Sequence, residues 1–160
     1  MAPAVLFGLW IFWPLIGVAH QGELPSYLFN LRQEKRRSEY AGIKIINLDQ
    51  AYALFNQGQA LFVDVRKPYQ YEEEHIPGAV SLPLDDWKKN KNTPLPYIPK
   101  DRLIVTYCIR EACYAHLEMA KILQAQGFTQ VMAYLGGFRE WEKAGYPKQA
   151  GLSLQMAGKK

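Results

Sequence analysis

The sequence contains little cysteine: among 160 residues there are only two, Cys108 and Cys113. Two cysteines are too few for a disulfide framework, and no further cysteine or paired histidine completes a set of zinc ligands. Neither a metal site nor a cofactor is therefore expected. With 49% hydrophobic residues, the chain has instead enough apolar surface for one ordinary core.

The basic residues that cluster along the chain lack aromatic residues arranged beside them as a stacking platform. The formal charge is +4, and the excess lies at Arg32, Lys35, Arg36, Arg37, Lys159 and Lys160. Because no aromatic stacking platform accompanies these cations, nucleic-acid binding is not predicted. Residues 20–41 are interpreted as a basic linker that is either juxtamembrane or solvated.

Charge is missing altogether from residues 2–19. At helical rise this segment spans about 27 Å, close to a hydrocarbon core, so it predicts an N-terminal hydrophobic helix acting as a membrane anchor. A cleaved signal peptide is the alternative, with Gly17 to Ala19 at the cut and the domain exported to the periplasm or cell envelope. The absence of a basic residue before the segment, and the cations after it, favour an uncleaved anchor. Pro3 and Pro14 disfavour a core helix.

Strand and helix patterns alternate over residues 42–148, which are predicted to form one domain. Strands are predicted at 43–46, 61–65, 79–82, 103–107 and 131–135. Helices are predicted at 48–55, at 68–74, between the cysteine pair and Gly127, and at 138–144, whereas residues 85–100 are expected to be irregular and 149–160 a flexible tail. This alternation predicts an α/β fold with a mostly parallel central sheet and helices on both faces.

The two cysteines lie between a predicted buried strand and a predicted helix. A thiol in this position faces unpaired N–H groups and the positive end of the helix dipole, and both favour thiolate over thiol. Ligands also bind beyond the carboxyl ends of such strands. Cys108 is therefore the predicted nucleophile, and the active-site loop comprises Ile109, Arg110, Glu111, Ala112, Cys113 and Tyr114.

Four motifs, in the right order, resemble the single-domain rhodaneses over about residues 43–148. They are Asp64-Val65-Arg66, His75-Ile76-Pro77-Gly78-Ala79, Tyr107-Cys108, and Leu135-Gly136-Gly137-Phe138 followed by Trp141. The resemblance implies a rhodanese-like fold and a sulfurtransferase. It further implies that Cys108 accepts sulfane sulfur from a small donor anion or a persulfide, holds it as a persulfide, and passes it to a thiol of a small molecule or protein.

The loop differs from the family pattern in length and composition. Gly127 lies nineteen positions after Cys108, two more than in the family pattern, which indicates an enlarged loop. Glu111 stands where the family usually has a glycine, and its charge is expected to oppose thiolate formation and repel thiosulfate. Tyr114 stands where rhodanese-like phosphatases have an arginine that clamps phosphate, so phosphatase activity is not expected.

Other residues have both a functional and a structural interpretation. Asp64, Arg66 and His75 are candidates for the pocket rim, but an Asp64–Arg66 ion pair and a turn fixed by His75 are the simpler roles. Cys113 is either a resolving thiol for Cys108 or a small apolar residue at the helix start. His116 is expected to stay neutral near the site.

Two further functions stay open. A thiol redox enzyme or sensor would use the Cys108 and Cys113 pair. A non-catalytic, membrane-tethered module would only recruit a partner.

Overall fold

The computed structural model describes residues 38–89 and 98–151. The strands are β1 (Lys44–Ile46), β2 (Leu61–Asp64), β3 (Val80–Ser81), β4 (Ile104–Tyr107) and β5 (Val131–Tyr134). The helices are α1 (Leu48–Asn56), α2 (Pro68–Glu73), α3 (Leu84–Lys89), α4 (Ala115–Ala125) and α5 (Gly137–Lys143). Strand and helix alternate, as the sequence predicts.

The five strands form one parallel sheet in the order β1-β5-β4-β2-β3. β4 is the central strand and is buried along its whole length, with Tyr107 paired to Asp64 on one side and to Tyr134 on the other. A strand buried on both faces reads as a continuous apolar run, which is why the sequence marks it clearly. The expected parallel α/β sheet is confirmed, and β4 ends directly before Cys108.

Two hydrophobic clusters form the core. Neighbouring residues of β4 belong to different clusters: Ile104 packs with Leu117 and Leu123 of α4, and Val105 packs with Trp141 of α5. Successive side chains of a strand point to opposite faces, so helices cover both faces of the sheet. The expected layer arrangement is therefore confirmed.

Capping chemistry sets the start of α1. The Gln50 amide donates to Asn47 Oδ1 at 3.0 Å, and the Asn47 amide donates to Gln50 Oε1 at 3.1 Å. This reciprocal pair is the capping box expected from the sequence.

Helix α3 corrects the expectation of an irregular segment from residue 85. Leu84 and Trp87, one helical turn apart, are both buried in the core. The four remaining residues of the helix are charged, so only two apolar positions carried the helical period.

The two ends of the domain are only partly described. Gln149 exchanges two backbone hydrogen bonds with His75, and the Gly151 amide donates to the Glu72 carbonyl, so the first residues assigned to a flexible tail are bound to the domain. The predicted N-terminal hydrophobic helix at 2–19 lies outside the described residues. Within residues 38–89 and 98–151, no helix has the length and apolarity to cross a membrane.

Candidate active site

The first half of the cysteine loop rests on the N-terminus of α5. The Phe138 amide donates to the Cys108 carbonyl at 2.8 Å, and the Arg139 amide donates to the Ile109 carbonyl at 3.0 Å. Gly137 makes this approach possible, because its φ is +68° and a Cβ there would lie 2.6 Å from the Cys108 carbonyl oxygen. The Gly136-Gly137 motif thus holds the backbone of Cys108.

A turn in the second half brings the two cysteines together. The Cys113 amide donates to the Arg110 carbonyl at 2.9 Å, which reverses the chain. The Cα atoms of Cys108 and Cys113 are 6.2 Å apart, and their sulfurs form a disulfide. Helix α4 then begins at Ala115, and its N-cap residue Tyr114 makes no side-chain hydrogen bond to the first turn. The positive end of α4 therefore follows the thiol pair without a side-chain cap.

A cavity of about 490 Å³ opens at the loop. Three loop residues line it, namely Cys108, Ile109 and Cys113. The other lining residues come from the segment after β2, from α2, from Pro83 and α3, and from the start of α4: Val65, Arg66, Lys67, Pro68, Tyr69, Gln70, Pro83, Leu84, Asp85, Asp86, Lys89 and Ala115. Cys108 itself is only 4% exposed, whereas Cys113 is half-buried.

The charged residues of the loop do not line this cavity. Arg110, Glu111 and Ala112 are exposed at the tip of the loop, and Tyr114 packs against the core. The charges at the cavity are instead those of Lys67, Asp85, Asp86 and Lys89, all exposed, together with Arg66. The cavity therefore presents both signs of charge beside a mostly apolar floor.

Arg66 is held too firmly to act as a mobile anion clamp. Its guanidinium donates to both oxygens of Asp64 and to the Glu74 carbonyl, and it lies 4.2 Å from the centroid of the Phe138 ring. Burial by itself lowers the pKa of Arg66, but the hydrogen bonds to Asp64 outweigh that effect and the pKa is raised. Arg66 remains a cation that ties the β2 end to α5.

Asp64 and His75 do not lie on the pocket rim, which corrects that part of the expectation. Asp64 is fully buried against Arg66. His75 is also fully buried: its Nδ1 is 2.7 Å from the Tyr71 carbonyl oxygen, and its ring stacks on Tyr71 at 3.8 Å. His75 is interior because its ring is covered by Tyr71 of α2 and its backbone pairs with Gln149. Asp64 is interior because it ends β2, which lies between β3 and β4 in the sheet.

His116 occupies the first turn of α4 and is fully buried. Burial lowers its pKa to about 4, against a weak opposing effect of the Cys113 backbone. The ring is therefore neutral at pH 7, as expected from its position at the positive end of the helix.

The sequence interpretation missed the wall of the cavity formed by α2 and α3. Tyr69 is 63% exposed at this wall, and Asp85, Asp86 and Lys89 lie opposite on α3. One signal was present, because α2 follows β2 and so belongs to the same sheet edge as Cys108. The α3 residues carried no such signal, since that helix was not predicted. Among the described residues, no group of three or more His, Cys, Asp or Glu side chains is arranged to hold a metal ion.

The site and the sheet together define a class: a parallel α/β domain with a cysteine loop beyond its central strand. Residues 47–144 match the model of the rhodanese-like domain family. The chain belongs to this family, which confirms the resemblance seen in its motifs.

Individual relatives carry different descriptions. The chain is 30% identical over 117 residues to the tRNA uridine(34) hydroxylase of Sodalis glossinidius, covering 71% of this chain but only 32% of that relative. A solved structure of a Rhodopseudomonas palustris protein of unknown function, described as a possible tyrosine phosphatase, is 28% identical with a TM-score of 0.58, covering 70% of this chain and 89% of that one. The human single-domain sulfurtransferase TSTD1 is 21% identical with a TM-score of 0.55, covering 64% and 97%, and shares the fold.

Proposed function

We propose that this domain is a sulfurtransferase or persulfide carrier that takes up sulfane sulfur on Cys108 and passes it to a thiol. The observation that carries the proposal is the position of Cys108, which lines the cavity and precedes the N-terminus of α4, where the N-cap residue makes no side-chain capping hydrogen bond. The carbonyls of Cys108 and Ile109 accept hydrogen bonds from α5, so these acceptors do not compete with the anion for other N–H groups. A thiolate and a terminal persulfide sulfur both gain from such surroundings.

One relative is described as a possible phosphatase, but the loop of this chain does not favour phosphatase activity here. Tyr114, which packs against the core, occupies the position at which a phosphate-clamping arginine would be needed. The hydroxylase relative is about three times as long as the matched segment, so its activity does not transfer with the domain. The role of Cys108 therefore rests on this site and on family membership.

The donor we propose is a small anion or a persulfide, and the acceptor is a thiol of a small molecule or protein. Lys67 and Lys89 at the cavity mouth attract an anionic donor, while Asp85 and Asp86 weaken that attraction. The wide, partly apolar cavity suits an organic donor or a protein-borne thiol as well as thiosulfate.

Intact mass spectrometry tests the persulfide directly. Reduced Cys113→Ser protein, in which no second thiol can discharge Cys108, is incubated with thiosulfate, 3-mercaptopyruvate or inorganic polysulfide, and Cys108 is expected to gain about 32 Da, the mass of one sulfur. The Cys108→Ser variant is the control and is expected to gain nothing at this position. No gain from any of the three donors would contradict the proposal and favour the non-catalytic binding module.

A thiol redox enzyme or sensor is the second candidate, and the Cys108–Cys113 disulfide favours it. The Cys113→Ser variant separates the two functions. Undiminished sulfur uptake and transfer in this variant would remove the redox function, whereas loss of activity together with the disulfide would support it.

Tethering of the domain by residues 2–19 is also part of the proposal. N-terminal sequencing of the mature protein, combined with protease accessibility of the domain in intact cells, tests it. An intact N-terminus in the membrane fraction is expected, and a chain that begins near His20 would show cleavage and export instead.

A further inference from the structure

We propose that Cys113 is the internal acceptor of the sulfur on Cys108: it discharges the persulfide inside the loop, releases hydrosulfide, and leaves a disulfide that an external dithiol reduces. This inference rests on the proposed persulfide chemistry of Cys108 and assigns the acceptor and the reductant. The domain would thus reduce sulfane sulfur rather than only carry it.

The geometry supplies the internal acceptor. The turn closed by the Cys113 amide and the Arg110 carbonyl brings the two sulfurs into bonding contact while the Cα atoms stay 6.2 Å apart. That Cα separation lies inside the range of ordinary disulfides. Cys108 is fixed by α5 through its carbonyl, and Cys113 is fixed by the turn. Both reacting groups are therefore already in place.

The cavity favours internal over external attack on Cys108. Its sulfur belongs to a residue that is only 4% exposed, so an external thiol reaches the inner sulfur of the persulfide with difficulty. Cys113 lines the same cavity and needs no approach. An attacking group held within reach gains a large effective concentration over one in solution.

The chemical step balances with the groups present. After loading, the Cys113 thiolate attacks Sγ of Cys108, and the bond between that Sγ and the outer sulfur breaks. The outer sulfur leaves with the electron pair, takes the proton that Cys113 carried as a thiol, and departs as hydrosulfide. The outer sulfur is reduced, and the two cysteine sulfurs are oxidised to the disulfide.

An external dithiol of the thioredoxin class, or a small dithiol, completes the cycle. Its thiolate attacks Cys113, the more exposed sulfur, and Cys108 leaves as a thiolate beside the N-terminus of α4. The second thiol of the reductant then attacks the mixed disulfide, frees Cys113, and becomes oxidised itself. The Cys108 thiolate that is released from the disulfide is thus the nucleophile of the next turnover.

The test compares wild type with Cys113→Ser, each fully reduced, desalted and kept anaerobic. Each protein receives one equivalent of 3-mercaptopyruvate, thiosulfate or sodium tetrasulfide. Hydrosulfide is trapped as its bimane derivative and the protein is followed by intact mass. With 3-mercaptopyruvate and with thiosulfate, wild type is expected to release about one hydrosulfide per chain and to lose about 2 Da as the disulfide forms. Cys113→Ser is expected to gain about 32 Da on Cys108 and hold it.

The outcomes separate this inference from the proposed function. If wild type holds the added sulfur on Cys108 as long as Cys113→Ser does and releases no hydrosulfide, internal discharge is wrong and the persulfide carrier stands. If neither protein gains sulfur or forms a disulfide with any donor, both are wrong. Reduction of the Cys108–Cys113 disulfide is tested separately. Dithiothreitol is expected to restore the mass of reduced wild type faster than a monothiol at equal thiol concentration. Equal rates would argue against a dithiol as the reductant.

Discussion

At the scale of the residue, burial decides which charged and titratable side chains serve the fold. Arg66 and Asp64 look like site residues in the sequence because they follow a strand, yet each satisfies the other and neither is free to move. A buried pair of this kind costs several kcal/mol if one partner is removed, because the other charge is then left unpaired. Loss of activity in an Arg66 or Asp64 variant would therefore report on folding before chemistry.

His116 makes the stability of the domain depend on pH. Its pKa is about 4 in the folded state and 6.5 ordinarily, so the unfolded chain takes up a proton first as the pH falls. The contribution of the neutral His116 ring to the free energy of unfolding is complete above pH 6.5 and is lost as the pH falls from 6.5 to about 4. That difference is worth roughly 3 kcal/mol in full and about 2 kcal/mol by pH 5.

Replacement of His116 by leucine tests this prediction. Urea unfolding at pH 7.5 and pH 5 is expected to show a loss of about 2 kcal/mol in wild type beyond the loss in His116→Leu. The comparison cancels the carboxylates that the two proteins share. Parallel pH profiles would show that the ring is protonated as easily in the folded state as in the unfolded one.

At the scale of the element, the loop and α5 form one unit through Gly137. Replacing Gly137 by alanine adds a Cβ that meets the Cys108 carbonyl and the Arg110 amide, which are backbone atoms. We expect a loss of about 3 kcal/mol, of which about 1 kcal/mol is the cost of the left-handed conformation and the rest is overpacking. Alkylation of reduced Cys108 by iodoacetamide is also expected to slow, because the loop must shift.

Gly145→Ala is the matched control for this prediction. Gly145 has a similar φ of +72°, is exposed, and has nothing within 4 Å of an added Cβ. Urea unfolding of Gly145→Ala is expected to show only about 1 kcal/mol of destabilisation, with unchanged alkylation of Cys108. Equal effects of the two substitutions would mean that contact with the loop is unimportant.

The elements differ in how far the sequence predicts them. β4 and α1 were predictable, since one has an unbroken apolar run and the other has the Asn47 and Gln50 capping box. α3 was not, because charged residues outnumber its two core positions. At the site, the place of Cys108 followed from topology. The interior positions of Asp64 and His75 depend on what covers them, which local pattern does not contain.

At the scale of the whole molecule, we expect charge at the cavity mouth to set the preference among the proposed donors. Neutralising Asp85 and Asp86 as the double variant D85N/D86N leaves Lys67 and Lys89 unopposed. The rate at which thiosulfate loads Cys108 is expected to rise about threefold at low ionic strength and to return to the wild-type value at high salt. Stopped reactions analysed by intact mass at several salt concentrations measure this rate as the loss of the reduced, unloaded protein.

D49N/D101N is the control for that experiment. Asp49 and Asp101 are exposed and do not line the cavity, and the double variant changes the net charge by the same amount. Loading at the wild-type rate is expected. A rise equal to that of D85N/D86N would show that net charge, and not charge at the mouth, governs the donor.

The contact between the loop and α5 also has a consequence for synthesis of the chain. Phe138 and Arg139, whose amides fix the carbonyls of Cys108 and Ile109, lie thirty residues further along. β1 likewise has no partner until β5 is made. A nascent chain that has exposed Cys108 but not yet α5 therefore has the thiol without its support. Cys108 therefore gains its supporting hydrogen bonds late in translation, when nearly all strands of the sheet have been made.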